Sequence, residues 1–420
     1  MKRILFVAER VTLAQVVRLV TLARALDRER YEVHFACSRF DDLCFRGTDF
    51  VQHQIFSLTE ADLFRSIERG NRLYDEPVLE RYIEEERSLF VRIRPELVVG
   101  DLRWSLAVSA PLMRVPHAAL INAYMSPFAV RDAIPMPDHP IVALLGVRFA
   151  GRYFPRAVPH VFEHFASPVN RLRRRFGLQH IGSLLEVLTA ADHVLYPDVP
   201  SLVPTRDLPS HHGYLGPVFW EPGVALPEGF DALGRDRPLV YVTLGSSGNL
   251  HALPGVLEGL AETPFDVLLA SAGRELPAAL PHNVRAVPYL PGAAVTRRAA
   301  VVVCNGGSSS GYQALAAGKP VVGIAQNLDQ YACMTAIQRY GAGLLLRSGN
   351  LAAADVRAAI ARVIGEPSYR ARAEELAREF AGWDSGARFR RFVDDSKWSS
   401  EPSRSSTTSS VAFPGSSAST

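Results

Sequence analysis

Hydrophobic and polar positions alternate in blocks along the first part of the chain. Residues 4–8 form a short continuous apolar run, which is typical of a parallel strand that is buried on both faces. Apolar side chains then recur at helical spacing from Leu13 to Leu26. Further strands are predicted at 33–36, 97–100 and 117–121. Strands that alternate with helices in this way predict a mostly parallel sheet with helices on both faces.

The same alternation restarts after residue 238. It predicts a second parallel α/β domain, with strands at 239–244, 265–270, 284–288, 300–304 and 321–324 and helices at 252–262, 293–299, 310–317, 331–340 and 352–364. Between the two patterns, residues 216–238 are rich in Pro and Gly and lack periodicity, so we predict an interdomain linker there. The domains are accordingly placed at 1–215 and 239–380.

Two segments lack a clear pattern. Prolines interrupt residues 125–190, where aromatic and arginine side chains interleave around 149–176. One interpretation is a patch that meets a lipid surface; the other, which we favour, is an apolar pocket wall with a solvated basic face. Residues 399–420 are rich in Ser and Thr and poor in apolar side chains, so this tail is predicted to be disordered.

Composition excludes several classes of protein. The 420 residues include 46 Lys plus Arg against 43 Asp plus Glu, and this near balance argues against a nucleic-acid binder. No apolar run reaches the ~18 residues of a membrane helix, and Glu9 and Arg10 interrupt any signal peptide. The four cysteines form no Cys-x-x-Cys pair, which favours a reduced, cytoplasmic setting and no zinc site.

The most informative segment for chemistry is NGGSSSGYQALAAGKP, at 305–320. It follows a buried strand, and Gly306 and Gly307 permit a tight turn. Ser310 is predicted as the helix N-cap, with Gln313 completing a capping box. The free amides and the positive end of such a helix favour phosphate, although an ordinary strand-to-helix turn explains the same residues.

Two other strand ends belong to the same predicted edge of the sheet. The turn TLGSSGN, at 243–249, follows the first strand of the second domain, and two Gly/Ser turns together suggest a diphosphate between them. No acidic cluster accompanies them, so helix N-termini rather than Mg²⁺ are expected to neutralise its charge. Asp329 and Gln330 together suit sugar hydroxyls, although for Asp329 taken by itself we favour capping of the helix at 331–340.

In the first domain, Asp101 and Glu9 end predicted strands and are candidate general bases that face the cleft. For Asp101, capping of the next helix is an equal alternative. Gln15 has a structural account, since Thr12 as N-cap and Gln15 at the third helical position form a capping box.

Taken together, these segments resemble the UDP-glycosyltransferase family with the GT-B fold, in particular bacterial enzymes that glycosylate lipids and natural products. The resemblance spans residues 1–395 and is strongest at 239–247 and 300–345. It implies two Rossmann-like parallel-sheet domains that face a central cleft, an acceptor-binding first domain and a nucleotide-sugar-binding second domain. It also implies that a last helix, at 381–398, crosses back to the first domain.

The resemblance also implies roles for individual residues of the donor site. The diphosphate would lie against the turn of Gly245, Ser246 and Ser247 and the segment of Asn305, Gly306, Gly307 and Ser310. Tyr289 is expected near the base and Gln313 at the ribose. The donor sugar is expected to contact Ser309, Asp329 and Gln330.

The chain departs from the family pattern at its catalytic position. Relatives carry a histidine there, paired with an aspartate at the position of Asp101, whereas this chain has Gln15. Glutamine has no titratable proton and cannot act as a general base. Asp101 or another group such as Glu9 would then take the proton, or the chain is catalytically weak. Asn305 and Gln313 likewise replace a histidine and a glutamate of many relatives.

The expected function is that of an inverting, metal-independent glycosyltransferase without a cofactor. It would move a hexose from a UDP- or dTDP-sugar to a hydroxyl of a small-molecule or lipid acceptor. The alternatives are an auxiliary, sugar-nucleotide-binding subunit and a nucleotide-sugar epimerase or hydrolase. A lipid acceptor would add peripheral contact with the inner membrane face, and nothing in the sequence indicates an oligomeric state.

Overall fold

The computed structural model describes residues 1–59, 61–62, 65–66, 72–138, 142, 146–245, 248–349 and 351–395. The predicted disordered tail at 399–420 lies outside these residues. Within them, the chain forms two sheets in which all paired strands are parallel, so the prediction of two α/β parallel-sheet domains is confirmed.

The first sheet has seven strands in the order β3-β2-β1-β4-β5-β6-β7. Its strands are β1 (Lys2–Ala8), β2 (Tyr31–Cys37), β3 (Val51–Gln54), β4 (Leu97–Asp101), β5 (His117–Leu120), β6 (His193–Tyr196) and β7 (His212–Tyr214). Its described helices are α1 (Leu13–Arg24), α2 (Asp42–Phe45), α3 (Glu76–Ile93), α4 (Leu106–Met113), α5 (Val147–Arg175) and α6 (Leu184–Leu188).

The second sheet has six strands in the order β10-β9-β8-β11-β12-β13. Its strands are β8 (Leu239–Thr243), β9 (Asp266–Ala270), β10 (Val284–Val287), β11 (Val301–Cys304), β12 (Val321–Ala325) and β13 (Gly343–Arg347). The helices are α7 (Leu253–Leu260), α8 (Gly292–Arg298), α9 (Ser308–Ala316), α10 (Leu328–Tyr340), α11 (Ala353–Gly365), α12 (Pro367–Ala381) and α13 (Ser385–Asp395).

The strand orders locate the expected ligand positions. In each sheet the chain order reverses beside the first strand, between β1 and β4 and between β8 and β11. Open parallel sheets bind ligands outside the carboxyl ends of their strands at such a reversal. The central strands are buried on both faces, because helices cover each side of the sheet.

The last helix packs on the first domain. The ring centroid of Phe389 in α13 lies 5.9 Å from that of Phe6 in β1. The Tyr31 hydroxyl donates a hydrogen bond to Asp394 at 2.5 Å. The end of the described chain therefore contributes to the core of the N-terminal sheet.

One expectation about local structure is wrong. The proline-rich segment that we expected to be irregular contains α5, a helix of 29 residues with Pro155, Pro159 and Pro168 inside it. Each interior proline removes a backbone hydrogen bond, but the helix is stabilised by burial of one face. That face consists of Phe162, Ala166, Val169 and Leu172, which follow helical spacing and pack into the main core.

Other helix starts and strands also differ from the predictions. Helices α9 and α10 begin at Ser308 and Leu328, earlier than expected. The strands β3, β6, β7 and β13 were not predicted, and short strands near a sheet edge carry only weak periodicity.

Candidate active site

A continuous cavity of about 940 Å³ lies between the two domains. Its walls include the carboxyl-end segments of both sheets, together with α1 and α5 of the first domain. Most of the described residues that we predicted for the site line this cavity: Gln15, Gly245, Tyr289, Asn305, Gly307, Ser309, Ser310, Gln313, Asp329 and Gln330. Ser246 and Ser247 lie outside the described residues.

The turn after β11 is built from Asn305 and Gly306. Gly306 has a φ of 81°, and a Cβ there would lie 2.7 Å from Cγ of Met334, so only glycine fits. The Asn305 carboxamide oxygen accepts a hydrogen bond from the Gly307 amide at 3.1 Å. This hydrogen bond closes a tight turn between β11 and the next helix, and α9 begins directly after Gly307.

The predicted cap of α9 is wrong. The N-cap is Gly307, and Ser310 lies within the first turn rather than before it, so Ser310 and Gln313 form no capping box. A glycine cap supplies no side chain to accept from the first amides of the helix. The amides from Ser308 to Ser310 are thus presented to the cavity, together with the positive end of the helix. This arrangement suits an anion better than the predicted serine cap would.

Three further donor-side residues surround this helix start. Gly245 has a φ of 61° and lies beside the Asn305 carboxamide, since a Cβ added there would be 3.5 Å from its nitrogen. Gln313 packs so closely on Gly292, the first residue of α8, that a Cβ at Gly292 would lie 2.2 Å from its carboxamide oxygen. The Tyr289 ring is 37% exposed at the cavity and its hydroxyl donates to the Ala272 carbonyl at 3.2 Å.

Asp329 and Gln330 lie in the first turn of α10. The cap of this helix is Asn327, which forms a capping box with Gln330, so the alternative of Asp329 as the cap is wrong. The Gln330 carboxamide oxygen accepts from the Gln326 amide at 2.9 Å. Asp329 accepts from the Tyr124 hydroxyl of the first domain at 3.1 Å. Burial raises the pKa of Asp329, while Arg18 and the Tyr124 hydrogen bond oppose that rise.

The first-domain side of the cavity contains Gln15 but not Asp101. The predicted capping box is confirmed, and the Gln15 carboxamide oxygen accepts from the Thr12 amide at 3.0 Å. Asp101 is fully buried and caps no helix, because Ser105 is the N-cap of α4. Both expectations for Asp101, a carboxylate that faces the cleft and a helix cap, are therefore wrong.

Arg18 stands between Asp101 and the cavity. Its guanidinium donates to both carboxylate oxygens of Asp101, at 2.8 and 2.7 Å, and Arg18 itself lines the cavity. Burial raises the pKa of Asp101 to about 6, and the Arg18 charge opposes the rise. Among the described residues that line the cavity, Arg18 is the single arginine or lysine.

Glu9 is likewise absent from the cavity wall. It is fully buried and pairs with Arg103 at 3.2 Å, and Arg103 also pairs with Glu86 at 2.7 Å. Burial raises the pKa of Glu9, and Arg103 opposes the rise. The expectation that Glu9 faces the cleft is wrong, because its carboxylate lies within this buried cluster.

A buried polar network joins the two domains beside α9, and sequence analysis missed it. Arg18 donates to the Asn122 oxygen at 2.7 Å, and the Ser308 hydroxyl of α9 donates to the same oxygen at 3.4 Å. Asp198 accepts from the Asn122 amide at 2.9 Å and from the Tyr312 hydroxyl of α9. The start of α9 is thus held by polar groups of the other domain.

The sequence did contain signals for these residues. Arg18 follows Gln15 by three positions and so shares its helix face. Asn122 and Asp198 follow β5 and β6 at the same edge as Asp101. Polar residues at the ends of successive parallel strands converge, but the strand at 193–196 was not predicted.

Aromatic and apolar side chains form the remaining wall on the first-domain side. Tyr74 and Trp104 stack edge to face with ring centroids 5.0 Å apart, and α5 supplies Phe162 and Phe165. At its start, α5 leaves Phe149 and Tyr153 53% and 49% exposed while both also line the cavity. This wall suits an apolar ligand larger than a sugar.

Two negative findings hold for the described part of the chain. No group of three or more His, Cys, Asp or Glu side chains is arranged to hold a metal ion. None of the helices is both long and apolar enough to span a membrane.

Comparisons with known proteins agree with this geometry. The family "Erythromycin biosynthesis protein CIII-like, C-terminal domain" matches residues 255–386. A PGL/p-HBAD biosynthesis rhamnosyltransferase of Mycobacterium bovis strain BCG is 46% identical over 380 residues, which are 90% of this chain and 84% of that protein. Another relative from the same strain is named an inactive PGL/p-HBAD biosynthesis glycosyltransferase, and it is 44% identical over 63% of this chain and 72% of its own length.

Among solved structures, the spinosyn rhamnosyltransferase SpnG has a TM-score of 0.67 at 19% identity, over 94% of this chain and 100% of that chain. SpnG has also been solved with the spinosyn aglycone and with thymidine diphosphate. This likeness concerns the fold, whereas the identity to the mycobacterial proteins extends to the family. The chain therefore belongs to the glycosyltransferase family of these relatives, and it is a glycosyltransferase with the two-domain GT-B fold.

Proposed function

We propose that this enzyme is an inverting glycosyltransferase that moves a hexose from a dTDP- or UDP-sugar to a hydroxyl group of an apolar or lipid acceptor. One observation carries the proposal: a single continuous cavity joins the start of α9 to the aromatic wall of the first domain. Its volume of about 940 Å³ has room for a sugar nucleotide and part of an acceptor together.

The donor is proposed to lie on the C-terminal domain. Its diphosphate would bind the amides from Ser308 to Ser310 and the Gly245 turn, and its sugar would bind Asp329 and Gln330. The base would lie beside Tyr289. The name of the mycobacterial rhamnosyltransferase and the complex of SpnG with thymidine diphosphate make dTDP-rhamnose the first donor to test.

The leaving diphosphate gains negative charge as the glycosidic bond breaks. We propose that the amides and positive end of α9 stabilise this charge without a metal ion, since they are fixed before the reaction. Arg18 adds a positive charge at the same cavity, although Asp101 neutralises much of it.

The acceptor proton must go to a group that reaches the cavity. Asp101 and Glu9 do not line it, and Gln15 cannot accept a proton. Among the described lining residues, Asp138, Asp329, His160 and His164 carry a carboxylate or an imidazole, the kinds of group that can accept the proton. Asp101 is proposed to act indirectly, by fixing Arg18 and through it Asn122 and Ser308.

The acceptor is proposed to be a glycolipid precursor. The mycobacterial relatives are named for PGL/p-HBAD biosynthesis, and the aromatic wall accommodates an apolar chain or ring. Phe149 and Tyr153 lie exposed at the cavity, and Arg152 and Arg156 are exposed on the same helix. We propose that this rim touches an anionic membrane surface at the cytoplasmic face, from which the acceptor enters.

A transfer assay with the purified chain tests the proposal. We expect sugar transfer from dTDP-rhamnose or UDP-glucose to phenolic or lipid alcohols, with binding of the matching nucleotide in calorimetry. Binding of neither nucleotide would overturn the donor site. For the membrane contact, binding to vesicles with anionic lipid should decrease in a Phe149→Ser/Tyr153→Ser variant, and unchanged binding would contradict it.

An auxiliary role is the second candidate. Gln15 occupies the catalytic position, and one relative is named inactive. Nucleotide binding without transfer to any acceptor in a broad panel would favour this role. Turnover of the sugar nucleotide without an acceptor would instead favour a hydrolase or an epimerase.

A further inference from the structure

A segment of the first domain, residues 130–138, crosses to the second domain beside the cavity; we call it the strap. At its start, the Val130 carbonyl accepts a hydrogen bond from Arg339 of α10 at 2.9 Å. At its end, Met136, Pro137 and Asp138 line the cavity. Both ends of the strap therefore contact the domain that holds the proposed donor site.

Asp138 is the most heavily bonded residue of the strap. Its Oδ1 accepts from Arg347 at 2.6 Å and from the Tyr331 hydroxyl at 2.8 Å. Its Oδ2 accepts from the Ser348 hydroxyl at 3.0 Å and the Gly349 amide at 2.8 Å. Four donors of the second domain thus converge on one carboxylate of the first, which is only 17% exposed.

Arg347 strengthens the same junction. It also donates to the carbonyls of Met136 and Pro137, at 3.0 and 3.2 Å. Its guanidinium lies 4.7 Å from the ring centroid of Tyr331. The planar group therefore fixes the strap backbone and the Asp138 carboxylate together.

The strap is connected directly to the residues proposed to hold the donor sugar. The Asp138 amide donates to the Gln326 carbonyl at 2.9 Å, and the Gln326 amide donates to the Gln330 carboxamide oxygen at 2.9 Å. Tyr331, which donates to Asp138, directly follows Gln330 in α10. The Gln326 backbone is therefore held on one side by the strap and on the other by Gln330.

We propose that Asp138 is a positioning residue for the donor sugar: it fastens the strap across the domain junction and sets the place of Asp329 and Gln330. This inference rests on the proposed function. It concerns the sugar alone, because the contacts of Asp138 lie on the β12–α10 and β13 side of the cavity and not on α9. The nucleotide should bind without help from the strap.

The test compares affinities for a nucleotide and its sugar nucleotide. Calorimetry is done with dTDP and dTDP-rhamnose and with UDP and UDP-glucose, on the wild-type chain and on Asp138→Asn. The substitution keeps the side-chain shape but removes the charge and the bidentate acceptor. We expect sugar-nucleotide affinity to fall about 10-fold, in line with loss of charge-assisted hydrogen bonds, while nucleotide affinity stays unchanged.

The matched control is Asp132→Asn, an exposed position in the same strap, which should alter neither affinity. Tyr331→Phe is the milder variant and removes a single hydroxyl donor to Asp138. It should lower sugar-nucleotide affinity by about 2- to 5-fold, and it decides the question if Asp138→Asn does not fold.

The outcomes separate the two proposals. An Asp138→Asn chain that folds and binds both ligands of a pair as the wild type does would overturn the inference and leave the proposed function intact. Equal weakening of nucleotide and sugar nucleotide would also overturn it, since that pattern indicates a general loss of stability. Failure of the wild-type chain to bind either pair would overturn the proposed function, and this inference with it.

Discussion

The two sides of the cavity present charge in different ways. On the donor side, the start of α9 offers backbone amides after a glycine cap, and few ionisable side chains take part. On the acceptor side, the carboxylates of Asp101 and Glu9 are buried and already paired with Arg18 and Arg103. The second-domain side of the cavity therefore offers backbone amides, which suit an anion, whereas the carboxylates of the first-domain side are neutralised by arginines within the protein.

The largest expected effect tests the buried pair of the acceptor side. Arg18→Met should lower the free energy of unfolding by about 3–5 kcal/mol, because Asp101 is left buried without a partner. Urea denaturation measures this. The control is Arg30→Met, which breaks a more exposed pair with Asp394 and should cost at most about 1 kcal/mol. If both variants have the same free energy of unfolding, burial of Asp101 without Arg18 does not destabilise the protein, and the prediction is wrong.

The second prediction concerns the indirect role of Asp101. Asp101→Asn should lower transfer by about 10²-fold with nucleotide affinity nearly unchanged, because Arg18 loses the group that orients it. In the wild type, burial raises the pKa of Asp101 to about 6. Transfer should therefore be present above that pH and decrease as the pH falls through about 6, when Asp101 is protonated.

A comparison of the pH profiles of the wild type and Asp101→Asn tests whether Asp101 causes the decrease in transfer near pH 6. The low residual transfer rate of Asp101→Asn should not decrease near pH 6, because position 101 no longer has a carboxylate that titrates there. An identical decrease in both proteins would assign it to a group other than Asp101.

The third prediction tests the donor side. Ser310→Ala keeps the backbone amide and removes the hydroxyl, which we expect to donate to the same diphosphate, so nucleotide affinity should weaken by about 3- to 10-fold. Because Gly307 and not Ser310 is the N-cap, the free energy of unfolding should stay within about 0.5 kcal/mol of the wild type. A loss of stability of about 1 kcal/mol would instead indicate the capping role predicted from the sequence.

The smallest expected effect is that of metal removal. If α9 alone stabilises the leaving diphosphate, excess EDTA should leave the transfer rate unchanged within experimental error. If EDTA abolishes transfer and Mg²⁺ restores it, the amides of α9 do not stabilise the leaving diphosphate by themselves. A bound cation would then belong to this side of the cavity.

Part of the site could be predicted from local sequence. Gly306, Gly307 and the serines that follow indicated a turn and a helix start because these residues act on their own backbone. The exact cap was mispredicted, since the Asn305 side chain turns the chain earlier than serine propensity suggests. The partners of Asp101, Asp198 and Asp138 were not predicted, because each lies far away along the chain.

The sequence by itself determined the two α/β domains and the glycine turn after β11, because apolar periodicity and glycine placement act over a few neighbouring residues. Only the tertiary structure decided which carboxylates reach the cavity. Asp101 ends β4 and Glu9 directly follows β1, where the sequence pattern predicts a base, yet an arginine packs against each carboxylate and both ion pairs are buried. The burial and the ion pairing of these carboxylates depend on side chains from distant segments of the chain, so they cannot be predicted from the local sequence pattern.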